Sequence, residues 1–383
     1  MKTVKLGSLC NVLSGFAFKS NLFGTEGMPI VRIRDVVRGY SDTYYSGEYD
    51  DKFILADGDV LVGMDGDFNT EYWSGGRALL NQRVCKIEVD PTKMCKEFLY
   101  YLLPLRLKKI WDDTPFVTVK HLSVKKILDI DVPDWPLETQ KQIAAVLEKA
   151  DQLRKDCQQM EQELNSLAQS VFIDMFGDPV TNPKGWDKRE LSEMLSVNHG
   201  YAFKSEYFTS EGDYVLLTPG NFKEEGGYWD RGEKQKYYSG DIPTGYILEK
   251  DALLLAMTEQ AAGLLGSSIL VPESNKYLHN QRLGLVKFKD DEQNTVFYSY
   301  LFNNKSVRLA IHSSSTGTKV KHTSPTKLES IKVGVPPSTL QNDFELIIKT
   351  IEQNILLNNK AAYDYEQSFN ALMQKAFKGE LNL

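Results

Sequence analysis

Two segments of the chain show the hydrophobic spacing of long coiled-coil helices. In the first, residues of apolar character recur in alternating steps of four and three at positions 146, 150, 153, 157, 160, 164, 167 and 171. In the second, the same alternation runs through positions 344, 348, 351, 355, 358, 362, 365, 369, 372 and 376, with one polar position at Asn358. This spacing predicts two long helices, each with one apolar face.

The ends of both helices are marked by proline and glycine. Each segment begins after a proline, Pro136 or Pro337, which cannot lie inside a helix. Each ends at a glycine, Gly177 or Gly379, the residue that favours a helix C-terminus. Each helix then spans roughly 38 residues, or about 57 Å.

The rest of the chain has the pattern of mixed α/β structure. Short apolar runs between turn residues predict strands, and two longer runs predict helices. The predicted strands are 29–33, 60–62, 84–89, 214–217 and 283–288, and the predicted helices are 96–110 and 295–311.

Several motifs occur twice in the same order, so the chain is a tandem duplication. The pairs are GFAFKS at 15–20 with GYAFKS at 200–205, NQR at 81–83 with 280–282, and VKH at 119–121 with 320–322. A period near 190 residues is far too long for a solenoid repeat. We therefore predict four parts: a globular domain at 1–136, a helix at 137–177, a second domain at 178–337 and a helix at 338–383.

Two such helices must bury their apolar faces, and each is the natural partner of the other. An antiparallel pair would relate the two domains by a pseudo-two-fold axis. B-DNA has local dyads, so such a protein can place two similar domains on two half-sites.

Composition limits the possible functions. The chain has 383 residues and a net charge of −7, which excludes a uniformly basic nucleic-acid binder. Its four cysteines form no C-x-x-C pair, which favours a reducing cytoplasm over a disulfide framework or a zinc site. No apolar stretch suggests a signal peptide or a membrane span, so we expect no membrane partner.

The motifs and their order resemble the specificity (S) subunit of type I restriction–modification systems. The resemblance rests on Gly15 to Ser20, on Pro136 to Gln140, on Phe176-Gly177-Asp178-Pro179 and on Ala376 to Leu381. It covers essentially the whole chain, with one departure: Pro337 is followed by Ser338 instead of leucine. The resemblance implies two target-recognition domains on antiparallel helices that bind a split double-stranded DNA target.

The resemblance also implies partners. Methyltransferase subunits, two of them, would dock on the helices, and motor-nuclease subunits would join through them. S-adenosylmethionine, ATP and magnesium would belong to those partners, so the chain itself needs no cofactor.

The residues agree that catalysis is absent. An adenine methyltransferase needs an Asn/Asp-Pro-Pro-aromatic tetrapeptide, and the chain has only Val335-Pro336-Pro337-Ser338. No phosphate-binding loop occurs, and the five histidines lack metal-ligand spacing. We therefore assign no catalytic or metal-binding residue.

Basic residues concentrate in equivalent parts of the two repeats. Residues 100–128 carry six basic and two acidic side chains, and residues 305–332 carry six basic and one acidic side chain, whereas 40–72 carry nine acidic and one basic. The basic stretches are therefore candidates to face DNA phosphates, the alternative being a solvated helix face. Residues 313–318 form a hydroxyl-rich segment suited to phosphate oxygens.

Residues shared by both repeats cannot distinguish two half-sites, so base recognition belongs where the repeats diverge. The divergent segments are 34–49 with 219–240, and 64–76 with 257–266. The shared NQR motifs then suit a scaffold, and the aromatic residues of the GFAFKS motifs suit the core. The candidate DNA contacts are Lys19, Arg34, Asn69, Lys120, His121, Lys204, Asn221, Gln260, Thr318, Lys319, Lys321 and His322.

Two other functions remain open at this point. One is a coiled-coil adaptor between proteins with no DNA role, which the basic stretches disfavour. The other is an enzyme with unfamiliar motifs, which a pocket lined by titratable groups would support.

Overall fold

The chain folds into two units, each built from one globular α/β domain and segments of both long helices. The computed structural model describes residues 2–115, 119–259, 263–317 and 319–381. One unit is Met1–Gln159 with Asn359–Leu383, and the other is Met160–Asn358. We call their globular parts the first and second domain. The two units do not divide the chain at the domain boundaries expected from the sequence, because each unit combines a globular domain with segments of both helices. Those boundaries stay a prediction.

The first domain contains a four-stranded sheet in the order β2-β10-β7-β8 and a five-stranded sheet in the order β3-β5-β4-β9-β6, with β1 paired to β11. The strands are β1 Thr3–Lys5, β2 Cys10–Ser14, β3 Phe23–Gly24, β4 Met28–Val31, β5 Tyr44–Tyr45, β6 Ile54–Leu55, β7 Val60–Gly63, β8 Thr70–Tyr72, β9 Ala78–Leu80, β10 Val84–Val89 and β11 Asp131–Pro133. The helices are α1 Ile33–Arg38, α2 Lys96–Asp113 and α3 Val124–Leu128, followed by the long helix α4 Leu137–Phe176.

The second domain repeats this plan. Its sheets have the orders β13-β22-β18-β20 and β14-β16-β15-β21-β17, with the pairs β12-β24 and β19-β23. The strands are β12 Asp187–Glu190, β13 Leu195–His199, β14 Phe208–Thr209, β15 Val215–Leu216, β16 Tyr237–Tyr238, β17 Ile247–Leu248, β18 Leu253–Ala256, β19 Thr258–Glu259, β20 Ser268–Leu270, β21 Tyr277–Leu278, β22 Leu283–Phe288, β23 Lys321–His322 and β24 Lys332–Val335. The helices are α5 Leu191–Met194, α6 Thr295–Asn303, α7 Lys305–Ser314, α8 Pro325–Glu329 and the long helix α9 Ser338–Lys378.

The four-stranded sheet of each domain separates two hydrophobic cores. In β7, Val60 and Val62 enter the core beneath α2, whereas Leu61 enters the core of the five-stranded sheet. Alternate side chains of a strand point to opposite faces, so a strand covered on both sides is apolar throughout. In β18, Leu253 and Leu254 divide between two cores in the same way.

The mixed α/β class and the strand positions expected from the sequence are confirmed. Strands β10 and β22 have the predicted limits, whereas β4 ends at Val31 and gives way to α1. The helix predicted at 295–311 is broken at Asn304, whose extended backbone (ψ 136°) and side-chain cap start a new helix. A local apolar pattern does not show such a break, because both pieces bury one face in the same core.

The long helices run antiparallel to each other within each unit. In the first unit, Leu147 near the start of α4 shares a core with Phe377 near the end of α9. In the second unit, the ring of Phe176 lies 5.3 Å from that of Phe344, near the start of α9. Both helices begin directly after the predicted prolines. The glycines that follow, Gly177 and Gly379, adopt the left-handed φ of 73° and 76°.

The predicted inner face of α9 is confirmed, and that of α4 is wrong at every second position. All ten positions of the α9 pattern are buried or half-buried, including Asn358. In α4 four predicted positions are exposed instead: Val146, Leu153, Met160 and Leu167. The buried residues lie one position later, at Leu147 and Ala168.

Charged residues on the inner face of α4 explain this error. Asp151 is almost fully buried, and its carboxylate forms ion pairs with Arg154 and Lys155, both at 2.7 Å. Arg154 also pairs with Glu366 at 3.0 Å and lies over the ring of Phe369. Buried charges are tolerated when they are paired, so an apolar pattern alone misplaces this face.

In the part of the chain that the structure describes, no helix has both the length and the apolar character needed to cross a membrane.

The corrected position of the α4 face predicts unequal effects of neighbouring truncations. Leu147→Ala should lower the free energy of unfolding by about 3 kcal/mol, because Leu147 is fully buried. Val146→Ala should lower it by about 0.5 kcal/mol, because that side chain is 37% exposed. Urea unfolding monitored by circular dichroism measures both. A larger loss of unfolding free energy for Val146→Ala would contradict the corrected face and support the one predicted from the sequence.

Candidate nucleic-acid interface

Two of the duplicated motifs dock on each other in each domain. The amide of Phe16 donates to the carbonyl of Leu80 at 3.0 Å, and the amide of Gln82 donates back to Phe16 at 2.8 Å. Gly15 is required there, because a Cβ would lie 2.0 Å from the carbonyl oxygen of Asn81. The contact supports the interpretation of the NQR motif as scaffold, since Asn81 itself is buried.

The second domain repeats this contact. Tyr201 donates to His279 and accepts from Gln281, both at 2.9 Å. A Cβ at Gly200 would lie 2.3 Å from the carbonyl oxygens of His279 and Asn280. The spacing of the motifs along the chain gave no sign that they meet.

The third duplicated motif joins the same site through the divergent loop that follows β7 or β18. In the first domain, Met64 donates to Arg83 at 2.8 Å and accepts from Leu122 at 2.7 Å. In the second, Met257 donates to Arg282 at 3.1 Å and accepts from Thr323 at 3.0 Å. Each domain therefore places a divergent loop between the NQR and VKH segments.

Lys120 lies inside this arrangement in the first domain. Its ammonium lies 3.4 Å from the centre of the Trp111 ring and donates to the Trp111 carbonyl, and only 9% of the residue is exposed. Its carbonyl accepts from Gly66 at 3.1 Å, and the Trp111 indole donates to the Gly66 carbonyl at 2.8 Å. These contacts suit Lys120 to holding the loop against α2.

His121 points outward and belongs to a charged cluster. Its Nδ1 lies 2.6 Å from an Asp65 carboxylate oxygen, which also pairs with Arg83 at 3.3 Å. The side chains of His121 and Arg83 are both more than half exposed. Arg83 and Asp65 were missed as site residues, although Arg83 lies in a duplicated motif. In the second domain, Thr258 holds the position that Asp65 holds in the first, because each lies opposite the VKH histidine in the strand register.

Asn69 lines a cleft of about 490 Å³ in the first domain. The cleft lies between α1, the loop after β7 and α2; lining residues are Val37, Asp67, Phe68, Asn69, Lys108 and Trp111. Both divergent segments of the first repeat and its basic helix therefore meet at one surface.

Arg34 and Lys19 lie elsewhere on the first domain. Arg34 is half-exposed on α1 and pairs with Asp42 at 2.9 Å and with the buried Asp35 at 3.4 Å. Lys19 is exposed and precedes the short turn Ser20–Leu22 that follows the GFAFKS loop.

Three of the basic candidates of the second domain lie on or beside the antiparallel strand pair of β19 and β23. Lys321 pairs with Glu259 and His322 with Thr258 along the strands, and Lys319 lies in the preceding turn. Lys319 and His322 are exposed, and Lys321 is half-exposed. Gln260 and Thr318 lie outside the described residues. In the hydroxyl-rich segment, Ser313, Ser314 and Ser315 donate to carbonyls of α7.

Asn221 is buried, in contrast to its expected role in base recognition. Its side-chain oxygen accepts from Thr218, and its amide donates to Gln235 at 3.0 Å and to the carbonyl of Trp229 at 3.3 Å. Asn221 therefore closes the loop that carries the exposed Trp229. Lys204, by contrast, is exposed, with Glu206 at 3.9 Å.

No group of three His, Cys, Asp or Glu side chains is placed to hold a metal ion among the residues described. Burial raises the pKa of the Cys10 thiol to about 11 and that of Cys85 to about 12. Neither is a thiolate at neutral pH, so neither is suited to nucleophilic chemistry.

Comparison with known proteins identifies the family. A family model described as the type I restriction modification DNA specificity domain matches twice, at residues 1–166 and 183–362. The chain belongs to this family. The resemblance found in the sequence is thereby confirmed.

One relative matches part of the chain at high identity, and another matches most of the chain at lower identity. The type I restriction enzyme EcoBI specificity subunit of Escherichia coli is 43% identical over 44% of this chain and 37% of that protein, so the match spans well under half of that relative. The MjaVIII specificity subunit of Methanocaldococcus jannaschii is 22% identical over 93% of this chain and 89% of the relative.

Solved structures agree in fold. The crystal structure of an S subunit from M. genitalium is similar at a TM-score of 0.56 and 15% identity, covering 98% of this chain and 96% of that one. A chain from a structure titled for complex assembly and conformational transition of the type I R-M system gives 0.57 at 14% identity, covering 99% and 98%. Because specificity subunits are not catalytic, the expectation that the chain is not an enzyme is also confirmed.

The contrast between two asparagines of this specificity-family chain is testable. Asn221→Ala should lower the free energy of unfolding by about 2–3 kcal/mol, because it leaves buried partners without hydrogen bonds. Asn69→Ala should change it by less than about 0.5 kcal/mol, because the side chain is exposed. Thermal unfolding measures both, and equal effects would contradict the assignment of Asn221 to loop support.

His279 gives the second domain a pH-dependent stability. Burial lowers the pKa of His279 to about 4 from 6.5, so the unfolded chain takes up a proton first. The stability from this group is complete above pH 6.5 and is lost as pH falls towards 4, by about 3 kcal/mol in total.

The first domain supplies a matched control for His279. Leu80 stands before its NQR motif, where His279 stands in the second, and Leu80 is also buried. His279→Leu should remove that loss, measured as the change in unfolding free energy between pH 7 and pH 4. A variant that loses as much stability on acidification as the wild type would refute the prediction.

Proposed function

We propose that the chain is a specificity subunit that binds a bipartite double-stranded DNA target, with one domain on each half-site. The observation that carries the proposal is the repeated convergence of three segments. In each domain a divergent loop lies between the NQR and VKH motifs, beside a helix from the basic stretch. Shared backbone contacts with divergent side chains suit two domains that recognise different sequences by one geometry.

The proposed DNA contacts are the candidates whose side chains are exposed or half-exposed, both at these surfaces and elsewhere on the two domains. In the first domain they are Lys19, Arg34, Asn69 and His121, joined by Arg83; in the second they are Lys204, Lys319, Lys321 and His322. Gln260 and Thr318, which lie outside the described residues, are proposed from the sequence alone. Lys120 and Asn221 are proposed as supports, since their polar atoms already bond inside the protein.

Lysine and arginine side chains would contact phosphates, and the polar side chains of the divergent loops would contact base edges. The net charge of −7 requires such local contacts, because the protein as a whole does not attract DNA.

The long helices are the proposed docking sites for methyltransferase subunits, two of them, through which motor-nuclease subunits would join. Support comes from apolar side chains left exposed on the helices. On α4, Val146 and Leu153 are exposed in the first unit, and Met160 and Leu167 in the second. They recur every seven residues, so they share one face.

Apolar side chains off the seam of α9 are also exposed, with Ile347 at 39% and Leu356 at 70%. Ile143 of α4 is buried in the core of the first unit and is not available to a partner. Such a complex would act in the cytoplasm, where its DNA target lies.

Methylation mapping tests the proposal. The chain is co-expressed with the methyltransferase encoded beside it, and modified adenines are located across the host genome. We expect two short sequences separated by a fixed gap. Methylation no different from that of the methyltransferase alone would contradict the proposal.

A domain exchange is the matched control. Replacing the second domain by that of a relative should change one half of the motif and leave the other intact. A change in both halves would refute independent recognition. Contacts to DNA phosphates make the affinity fall as the salt concentration rises. If binding to mixed-sequence DNA does not depend on salt, the coiled-coil adaptor is favoured instead.

A further inference from the structure

The cleft of the first domain differs from the rest of the proposed DNA surface in its chemistry. Val37 on α1 forms part of its wall and is 58% exposed. Asp67, Asn69 and Glu71 also line it, and the Glu71 carboxylate accepts a hydrogen bond from the Tyr100 hydroxyl at 3.0 Å. Two carboxylates against the single cation of Lys108 disfavour a phosphate, so this surface suits an uncharged group that donates hydrogen bonds.

The loop that carries Asn69 is held in place before any ligand binds. The carbonyl of Asn69 accepts from Gly63 at 2.8 Å, and the carbonyl of Gly66 accepts from the Trp111 indole at 2.8 Å. Between them, Phe68 is 2% exposed and has a left-handed φ of 53°. This strained, buried anchor fixes the backbone position from which the exposed Asn69 side chain extends.

In the described part of the second domain, Arg308 occupies the position equivalent to Lys108. Arg308 follows the buried Val307, as Lys108 follows the buried Leu107. Its guanidinium donates to the carbonyls of Gly263, Leu265 and Glu224, which belong to the two divergent segments. At this position the first domain has a lysine that lines the cleft, whereas the second has an arginine that bonds to both divergent segments.

We propose that this cleft recognises an A·T base pair through the major groove. The Asn69 amide would accept from the adenine N6 amino group and donate to adenine N7. The thymine methyl group would pack on Val37. Among unmodified pairs, A·T alone presents both an amino donor and a methyl group in the major groove. This inference rests on the proposed DNA-reading function.

Removal of one methyl group from the DNA tests the proposal. The wild-type complex with its methyltransferase is titrated with duplexes of the mapped target in which each thymine in turn is replaced by uracil. One replacement, in the half-site of the first domain, should weaken binding about fourfold, the effect of burying one methyl group. The same series is measured with Val37→Ala and with Asn69→Ala.

Val37→Ala should abolish the difference between thymine and uracil at that position while leaving the other positions unchanged. Asn69→Ala should relax the preference for adenine in the opposite strand. Leu309→Ala is the matched control, because Leu309 is an equally exposed apolar residue on α7 of the second domain, 59% exposed. The Leu309→Ala variant should keep the full difference in affinity between the thymine and uracil duplexes.

Three results would overturn the proposal: a half-site of the first domain without an A·T pair, insensitivity of every thymine there, or full discrimination in Val37→Ala. Each of these leaves the split target and the proposed function intact. Absence of any split target, with salt-insensitive binding, would instead remove the proposed function and this inference together.

Discussion

Burial of the inner faces of α4 and α9 is the constraint on which the rest of the structure depends. A helix of about 40 residues gains most of its stability from packing of an apolar face, and each of these helices contributes to two cores. Ile143, Ala144 and Leu147 of α4 lie in the core of the first unit, and Phe172 and Phe176 in that of the second. Neither domain core is complete without the helices, so each unit contains part of both.

The helix faces also show how charge is accommodated in a packed interface. Asp151 is buried on α4 but pairs with two cations, one of which pairs in turn with Glu366 on α9. The pairing fixes which face of α4 is turned inward and leaves a second apolar row exposed. One helix therefore packs on its partner through one face and leaves apolar side chains of the neighbouring face exposed.

Within each domain, the duplicated residues make backbone contacts and the divergent residues make the surface. Gly15 and Gly200 allow the first motif to touch the second, and Met64 and Met257 place a loop beside the third. Because these bonds use main-chain atoms, the loops can change sequence without losing their position. Arg308 illustrates the freedom that remains, since it bonds to both divergent segments of the second domain, whereas Lys108 at the equivalent position lines a cleft in the first.

Features that depend on local order could be predicted from the sequence: the limits of both long helices, the duplication, the mixed α/β class and the basic segments. Spacing and residue type report these because a helix or strand exposes or buries residues at its own period. The tertiary structure alone decided the inner face of α4, the burial of Lys120 and Asn221, and the cleft beside Asn69. Each of those depends on contacts between distant residues, such as Arg154 with Glu366 or Trp111 with Gly66. The sequence does not show whether a polar side chain bonds to water or to a group 212 positions away, as Arg154 does.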